Sequence, residues 1–385
     1  MKIPFGKPII DSREIKAVKK VLTTGTLVHG KKTLEFEENF KRFTKSKYSV
    51  AVSSCTAAMH LFYFTNNIGK GDEVIVPSQT HLATVHAVEL TGAKPIFVDS
   101  EIKTGNINVD QIEKKITKKT RAITIVHYLG FPVDMRKIMR IADSNKLLVL
   151  EDCALALGAK IYGKHVGNWG QAGAFSFYPV KHMTTGEGGM LITKSRTIYS
   201  KIKSARAFFV NRDYSKRKLP GLYDCNGLGF NYRMNEIEAT LGIQQLKRIP
   251  AFLEVRKKNF FKLKEIFEKE ESIYVPYIKD RNFKSAFYCF AIILKKFSLK
   301  KRNKIMKKIN KIGIGTSIYY PHPVPRLKFY KKKYHLNKLL YKTATIFSDQ
   351  IICLPVGKHI TKPKIKFMIS KLIKIFNIRK KWKRY

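Results

Sequence analysis

Leu147-Leu148-Val149-Leu150-Glu151-Asp152-Cys153-Ala154 is the stretch that decides the architecture. Four consecutive apolar residues without polar alternation describe a strand covered on both faces. The two carboxylates that end it stand where burial is costly unless the charge is paired. Working outward, similar β-branched runs occur at 49–53, 73–77, 95–99 and 122–127. Helix-period segments fill the intervals at 56–64, 83–90, 109–116 and 135–143, preceded by 12–22 and 31–43. This alternation predicts an α/β fold, a mostly parallel sheet with helices on both sides. Downstream, 172–177 and 189–192 read as strands separated by a loop rich in Thr and Gly. Helices are expected at 233–246, 253–267, 300–312 and 363–375, and strands at 286–294, 316–320 and 351–354. The pattern divides the chain into a large domain, 1–250, and a smaller α+β domain, 251–385, meeting near Pro250.

Composition bounds the function. The 385 residues are 44% hydrophobic and 12% aromatic, which excludes a wholly disordered chain. Five scattered cysteines form no C-x-x-C pair, so neither a disulfide framework nor a metal site is expected, and a reducing cytoplasm is the natural compartment. No apolar stretch approaches the ~20 residues that span a bilayer, and 1–8 lacks the apolar core of a signal peptide.

The net charge of +47 raises nucleic acid or an anionic membrane as partners. Yet 58 of the 75 basic residues are Lys and only 17 are Arg, the residue suited to bidentate phosphate and base contacts. Residues 251–385 carry 36 basic against 7 acidic residues, interleaved with Ile and Leu at helical spacing. Solvated helix faces are the expectation, with a weak surface contact of the tail 380–385 left open.

In an open α/β sheet, ligands bind beyond the carboxyl ends of the strands. After 49–53 comes Ser54-Cys55-Thr56-Ala57-Ala58, a helix start whose free N–H groups suit an anion. After 73–77 comes Ser78-Gln79-Thr80-His81, where a flat side chain can cover a ring-shaped ligand. A carboxylate of the Glu151-Asp152 pair can cap the strand or hold a cation such as a protonated ring nitrogen. The densest segment runs Ala174-Phe175-Ser176-Phe177-Tyr178-Pro179-Val180-Lys181-His182-Met183-Thr184-Thr185-Gly186-Glu187-Gly188-Gly189-Met190. A lysine framed by strands, Gly and hydroxyls becomes a partly desolvated amine, fit for Schiff-base chemistry. Singly, each feature also has an ordinary structural reading: a helix start, a surface histidine, a strand-end cap, one lysine of 58.

Together, in order, they resemble the DegT/DnrJ/EryC1/StrS family of nucleotide-sugar aminotransferases, perosamine synthases among them. The landmarks run from Pro4-Phe5-Gly6-Lys7-Pro8 through Gly71-Asp72-Glu73-Val74-Ile75-Val76-Pro77-Ser78, His127-Tyr128-Leu129-Gly130 and Glu151-Asp152-Cys153-Ala154. After the lysine segment they continue with Gly229-Phe230-Asn231-Tyr232-Arg233-Met234-Asn235-Glu236, Gly313-Ile314-Gly315-Thr316-Ser317, Tyr320-Pro321 and Leu354-Pro355-Val356-Gly357. The resemblance implies the pyridoxal-phosphate-dependent fold of type I and the cofactor pyridoxal 5′-phosphate. It implies that Lys181 carries the cofactor through its amine and serves as general acid and base, and that Asp152 pairs with the ring nitrogen. Ser176 and the backbone amides of Cys55 and Thr56 would hold the phosphate, His81 would stack on the ring, and Asn231 would reach the phosphate of a partner subunit in a homodimer. His182, Arg233, Tyr320 and His322 are the implied substrate contacts. The substrates would be a nucleotide-linked ketosugar and glutamate, for surface-polysaccharide biosynthesis. Cys55 stands where Gly is usual, His81 where Phe, Tyr or Trp is commoner, and Leu155 and Leu157 where polar residues flank the cofactor.

Two rival readings differ in what they require. Sibling sugar 3-dehydratases carry His at the position of Lys181, and His182 is adjacent. A basic regulator or anionic-surface binder of the same fold would draw on the C-terminal charge, but neither a helix-turn-helix signature nor an Arg/aromatic code is present.

Overall fold

The computed structural model describes residues 1–210, 219, 222–337 and 340–378, so the tail 380–385 lies outside the described residues. The strands are β1 (Tyr48–Val52), β2 (Glu73–Pro77), β3 (Lys94–Val98), β4 (Thr120–Val126), β5 (Leu148–Asp152), the short hairpin β6 (Lys160–Ile161) and β7 (Lys164–His165), then β8 (Ala172–Ser176) and β9 (Gly189–Thr193). Seven of them form one sheet in the order β1-β9-β8-β5-β4-β2-β3. β9 runs antiparallel to both β1 and β8, while the neighbours from β8 to β3 are parallel. β2 and β9 are buried along their whole length, as continuous apolar runs require.

One face of the sheet is closed by aromatic rings. Phe36 and Phe40, one turn apart on the helix Lys31–Thr44, meet the strand-end rings of Phe175 and Phe177. The ring centroids lie 5.4 Å apart for Phe36 and Phe177, 5.1 Å for Phe40 and Phe175, and 5.6 Å for Phe40 and Phe177.

Beyond the sheet the chain continues with β10 (Ile273–Tyr274), β11 (Phe283–Lys284), β12 (Phe290–Leu294) and β13 (Ile351–Leu354). β10, β12 and β13 form a second sheet, and β11 pairs with β6. The two helices expected on either side of Pro250 are one 32-residue helix, Glu236–Phe267, opened by an Asn235/Glu238 capping box. Proline removes one N–H and crowds the preceding turn. The apolar stripe Ile243, Leu246, Ile249, Phe252 is buried straight through that point and holds the helix together. The helix packs into the main core through Phe252 and into the second core from Phe260 onward.

Two other expectations change. Segment 109–116 forms two 3₁₀ turns, Val109–Gln111 and Glu113–Lys115, with Asn108 accepting from the Asp110 N–H. Segment 316–320 contributes a single bridge, Ser317 to Cys353, instead of a strand. The helix Leu299–Lys311 buries Arg302 and Ile309 and leaves Lys301, Lys304, Lys307, Lys308 and Lys311 exposed, a solvated basic face. Among the described residues no helix is long and apolar enough to cross a membrane.

Because Phe40 contacts four rings at once, those of Phe36, Phe43, Phe175 and Phe177, Phe40→Ala should cost about 3–5 kcal/mol. The check is the urea midpoint at unchanged slope; a shift under a fifth of that would mean the ring cluster collapses around the gap.

Candidate active site

The antiparallel strand determines where the chemistry gathers. β1, β5 and β8 all end at the carboxyl edge of the sheet, where β9 begins. Loop 177–188 therefore leaves and re-enters the sheet over that edge. Its fold is set by hydroxyls and glycines. Thr184 Oγ1 and the Thr185 N–H both donate to the Phe177 carbonyl at 3.0 Å, and Gly186 and Gly188 take φ of +88° and +144°. The Lys181 N–H bonds the Tyr178 carbonyl at 2.9 Å, which turns the lysine into the site.

Beside the loop lies the start of the helix Cys55–Thr65. Ser54 caps it, its Oγ accepting from the Ala57 N–H at 3.0 Å and its carbonyl from Ala58 at 3.1 Å. The Cys55 and Thr56 N–H groups open the first turn, where no carbonyl of the same helix precedes them to accept. A Cβ on Gly189 would fall 2.4 Å from the Ser54 carbonyl carbon and 2.5 Å from the Cys55 nitrogen. Only glycine allows this helix start to sit against β9, and its first-turn N–H groups suit an anion.

The consecutive carboxylates that end β5 divide their work, because successive side chains on a strand point to opposite faces. Glu151 is fully buried. One oxygen accepts from Trp169 and Gly170 N–H groups at 2.7 and 2.8 Å, the other from Gly167 N–H at 2.7 Å and His127 Nε2 at 3.0 Å. His127 Nδ1 accepts from the Val133 N–H at 3.1 Å, so Nε2 carries the proton. Burial pushes the Glu151 pKa up, but His127 and the backbone donors outweigh it and leave the carboxyl below its ordinary value. Cys153 stands near enough to complete a metal-like triad, yet His127 and Glu151 are spent on protein partners, and the cluster is structural. Asp152 serves the other face. Its Oδ2 accepts from Thr84 Oγ1 at 2.7 Å, its Oδ1 from the Ala154 N–H at 3.0 Å, and Thr84 in turn meets Thr80 at 2.7 Å.

Lys181 lies within electrostatic reach of Asp152 and Cys55, with Nζ 5.7 Å from the Tyr288 ring centroid. Burial pushes its amine below the ordinary lysine value, and Asp152 partly opposes the shift. Burial, then Asp152, holds the Cys55 thiol well above its usual range, so it stays neutral. His81 Nδ1 accepts from the Ala83 N–H at 3.1 Å and caps the helix Leu82–Glu89. Its ring lies 5.5 Å from that of Tyr320 and is biased to the neutral form by burial and then by Lys181.

Lys181, Asp152, Cys55, His81 and Tyr320 thus form one neighbourhood, with Thr56 and Ser176 on the same edge. Asn231 and Arg233 flank it, Asn231 exposed and bridged to Ala207, Arg233 bridged to Val52 with its guanidinium 5.3 Å from the Phe208 ring. His322 is half-buried, two residues before Val324, whose N–H bonds the Ser78 carbonyl at 2.9 Å. Lys181 acts on His182 electrostatically, but the imidazole is committed elsewhere. It is 4% exposed and donates Nε2 to the Ala286 carbonyl at 2.9 Å, and burial followed by Arg256 keeps it neutral. Leu155 and Leu157 are likewise buried.

Sequence reading missed Thr84, although Thr80 and Thr84 at i, i+4 frame His81. It also missed the Tyr288–Tyr319 hydroxyl pair at 2.7 Å, whose partners lie too far apart in the chain for any local signal.

This division of labour is testable. Glu151→Gln presents an amide where two backbone N–H groups point and should cost about 1–3 kcal/mol, read as a lower melting temperature. Asp152→Asn can keep its oxygen for the Ala154 N–H and donate its NH2 to the Thr84 hydroxyl, which can accept, so it should melt near the wild type. Equal losses in both variants would contradict the assignment.

Three comparisons bear on this geometry. The chain is 38% identical over 285 residues to GDP-perosamine synthase of Escherichia coli O157:H7, covering 71% of this chain and 76% of that one. It is 31% identical over 397 aligned residues, 98% of each chain, to GDP-4-keto-6-deoxy-D-mannose 3-dehydratase of Yersinia pseudotuberculosis. The putative sugar aminotransferase Spr1654 of Streptococcus pneumoniae, solved in PMP and PLP forms, superposes with a TM-score of 0.91 in each, at 27% identity over 98% of this chain and 98–99% of that one. The cofactor of this fold is pyridoxal phosphate, and the residues fit it: a desolvated amine, a buried carboxylate and the first-turn N–H groups of a helix share one edge. The model of the DegT/DnrJ/EryC1/StrS aminotransferase family matches residues 8–373, and the chain belongs to that family.

Proposed function

We propose that the protein transfers an amino group from glutamate to the keto carbon of a nucleotide-linked sugar, providing an aminosugar for surface-polysaccharide assembly. The observation that carries this reading is Lys181, an amine lowered by burial beside Asp152 at the carboxyl edge. Asp152, fixed by Thr84 and Ala154, would hold the cofactor's ring nitrogen. Cys55 and Thr56 N–H groups with Ser176 would hold its phosphate, and His81 would cover its ring. Bound pyridoxal phosphate supplies the electron sink that stabilises a carbanion. The protein's part is then positioning and proton transfer. Lys181 Nζ would take a proton from one carbon and return it to the carbon on the other side of the intervening nitrogen, a 1,3-shift in a role typically worth ~10²–10⁴-fold in rate. Tyr320, Arg233 and His322 are the candidate substrate contacts.

A homodimer completes the reading. Asn231 is exposed, and so are Phe208, Leu222, Tyr223 and Leu228, apolar surface on the same stretch of chain. A partner covering that surface would receive Asn231 at its phosphate.

The 3-dehydratase reading has support in the Yersinia relative and in the adjacency of His182. Against it, His182 is buried and its Nε2 is spent on the Ala286 carbonyl. The variants Lys181→Ala and His182→Asn separate the two. Lys181→Ala should abolish the visible absorbance of the bound cofactor and lower turnover at least ~10²-fold, whereas His182→Asn should retain both. Retention of the band in Lys181→Ala would overturn the assignment. Incubation with glutamate and a panel of nucleotide ketosugars should release 2-oxoglutarate, and no release across the panel would contradict the activity.

The depressed amine also fixes a pH dependence. Lys181 loses its proton at lower pH than a free lysine, ordinarily near ~10.4. The rate at which apoenzyme recaptures the cofactor should therefore rise with pH and level off below that value. A rise that continues to the free-lysine value would mean the amine is fully solvated.

A further inference from the structure

The opposite, amino edge of the large sheet carries a feature that transamination does not use. Lys45, Lys47, Lys160, Lys164 and Lys194 line one cavity of about 440 Å³, with Phe43 in its wall and, among the described residues, no carboxylate. Four rigid pieces of chain build it. Lys45 is the left-handed C-cap (φ 56°) of the helix Lys31–Thr44, and Lys47 directly precedes β1. Lys160 and Lys164 stand on the β6–β7 hairpin, whose two-residue turn, Tyr162 and Gly163, has φ of 48° and 76°. Lys194 directly follows β9. Buried Asn168 donates to the Thr44 carbonyl at 2.8 Å and ties the loop after the hairpin to the helix end.

The neighbours do not neutralise these amines. His165 spends Nε2 on the Gly158 N–H at 2.9 Å and Nδ1 on the Val166 carbonyl at 2.6 Å, and burial keeps it neutral, at about 4. The carboxylate that acts on Lys164 is Glu151, already committed to His127 and three backbone donors. Burial and then the adjacent Lys194 push the Lys164 amine down to about 8. Two ammonium groups held together without an acid are stabilised by an anion between them.

We propose that this cavity binds a soluble, multiply charged phosphate of the pyrophosphate or nucleoside-diphosphate class, at a site separate from Lys181. Lysines are point charges suited to phosphate, and several amines on one cavity favour an anion with more than one charge. The five-residue strands β1 and β9 place this edge roughly 17 Å from the carboxyl edge. The inference does not rest on the aminotransferase reading.

Trp169 is the reporter, because Lys164 Nζ lies 4.4 Å from its ring centroid. The chain has two tryptophans, Trp169 and Trp382, so Trp382→Phe leaves Trp169 as the sole indole. Inorganic pyrophosphate titrated into the full-length holoenzyme at constant ionic strength should give a saturable fluorescence change. The double substitution Lys164→Ala/Lys194→Ala should weaken the apparent affinity about tenfold or more, with melting temperature and glutamate turnover unchanged. An unaltered midpoint in the double variant, or the same response to chloride at matched ionic strength, would overturn the site. A response to anionic phospholipid vesicles without one to pyrophosphate would overturn it too, because the phosphate recognised would then belong to a membrane.

Discussion

One strand running against its neighbours underlies the rest of the structure. Were β9 parallel to β8, the connection between them would need a crossover of a dozen or more residues to the far edge. Antiparallel, it returns at once, and loop 177–188 stays over the carboxyl edge with Lys181 at its centre. The same strand takes β1 as its second neighbour, pairing Val52 with Gly189 and setting the Cys55–Thr65 helix start beside the loop. The missing side chain of Gly189 makes that approach possible. Amine, first-turn N–H groups and the β5 carboxylate are therefore brought to one edge through backbone geometry before any ligand is considered.

The second organising constraint is the cost of a buried charge. Two carboxylates end β5, and each is satisfied differently. Glu151 collects four donors and closes a structural network. Asp152 accepts one hydroxyl and one N–H, which leaves acceptor capacity facing Lys181. A carboxylate that is ordered but incompletely satisfied is what a cationic ring nitrogen requires.

Much of this was legible in the chain. The apolar runs located the strands of the large sheet to within a residue or two, since strands buried on both faces leave an unambiguous pattern. The candidate site positions at the carboxyl edge followed from reading what comes after each strand. What escaped has physical causes. Pro250 suggested a helix break, but the apolar stripe across it holds one helix together. The pattern at 109–116 lacks the length for an α-helix and settles as 3₁₀ turns. Glu151 and Asp152 looked equivalent because three donors of Glu151 come from a later loop, 167–170, and the fourth is His127 on the neighbouring strand's end. His182 looked available because its acceptor, the Ala286 carbonyl, is remote in sequence. The Lys-rich composition concealed a distinction that geometry exposes: the C-terminal lysines on Leu299–Lys311 lie along an open helix face, while five at the amino edge of the sheet line one cavity.

The central claim is that Lys181 serves transfer of nitrogen rather than loss of water. The most direct measurement is mass analysis of the nucleotide sugar recovered after incubation with [¹⁵N]glutamate. The account predicts a product in which the carbonyl oxygen is replaced by a ¹⁵N amino group, with every other oxygen retained. A product that has lost a hydroxyl and carries no ¹⁵N would contradict it.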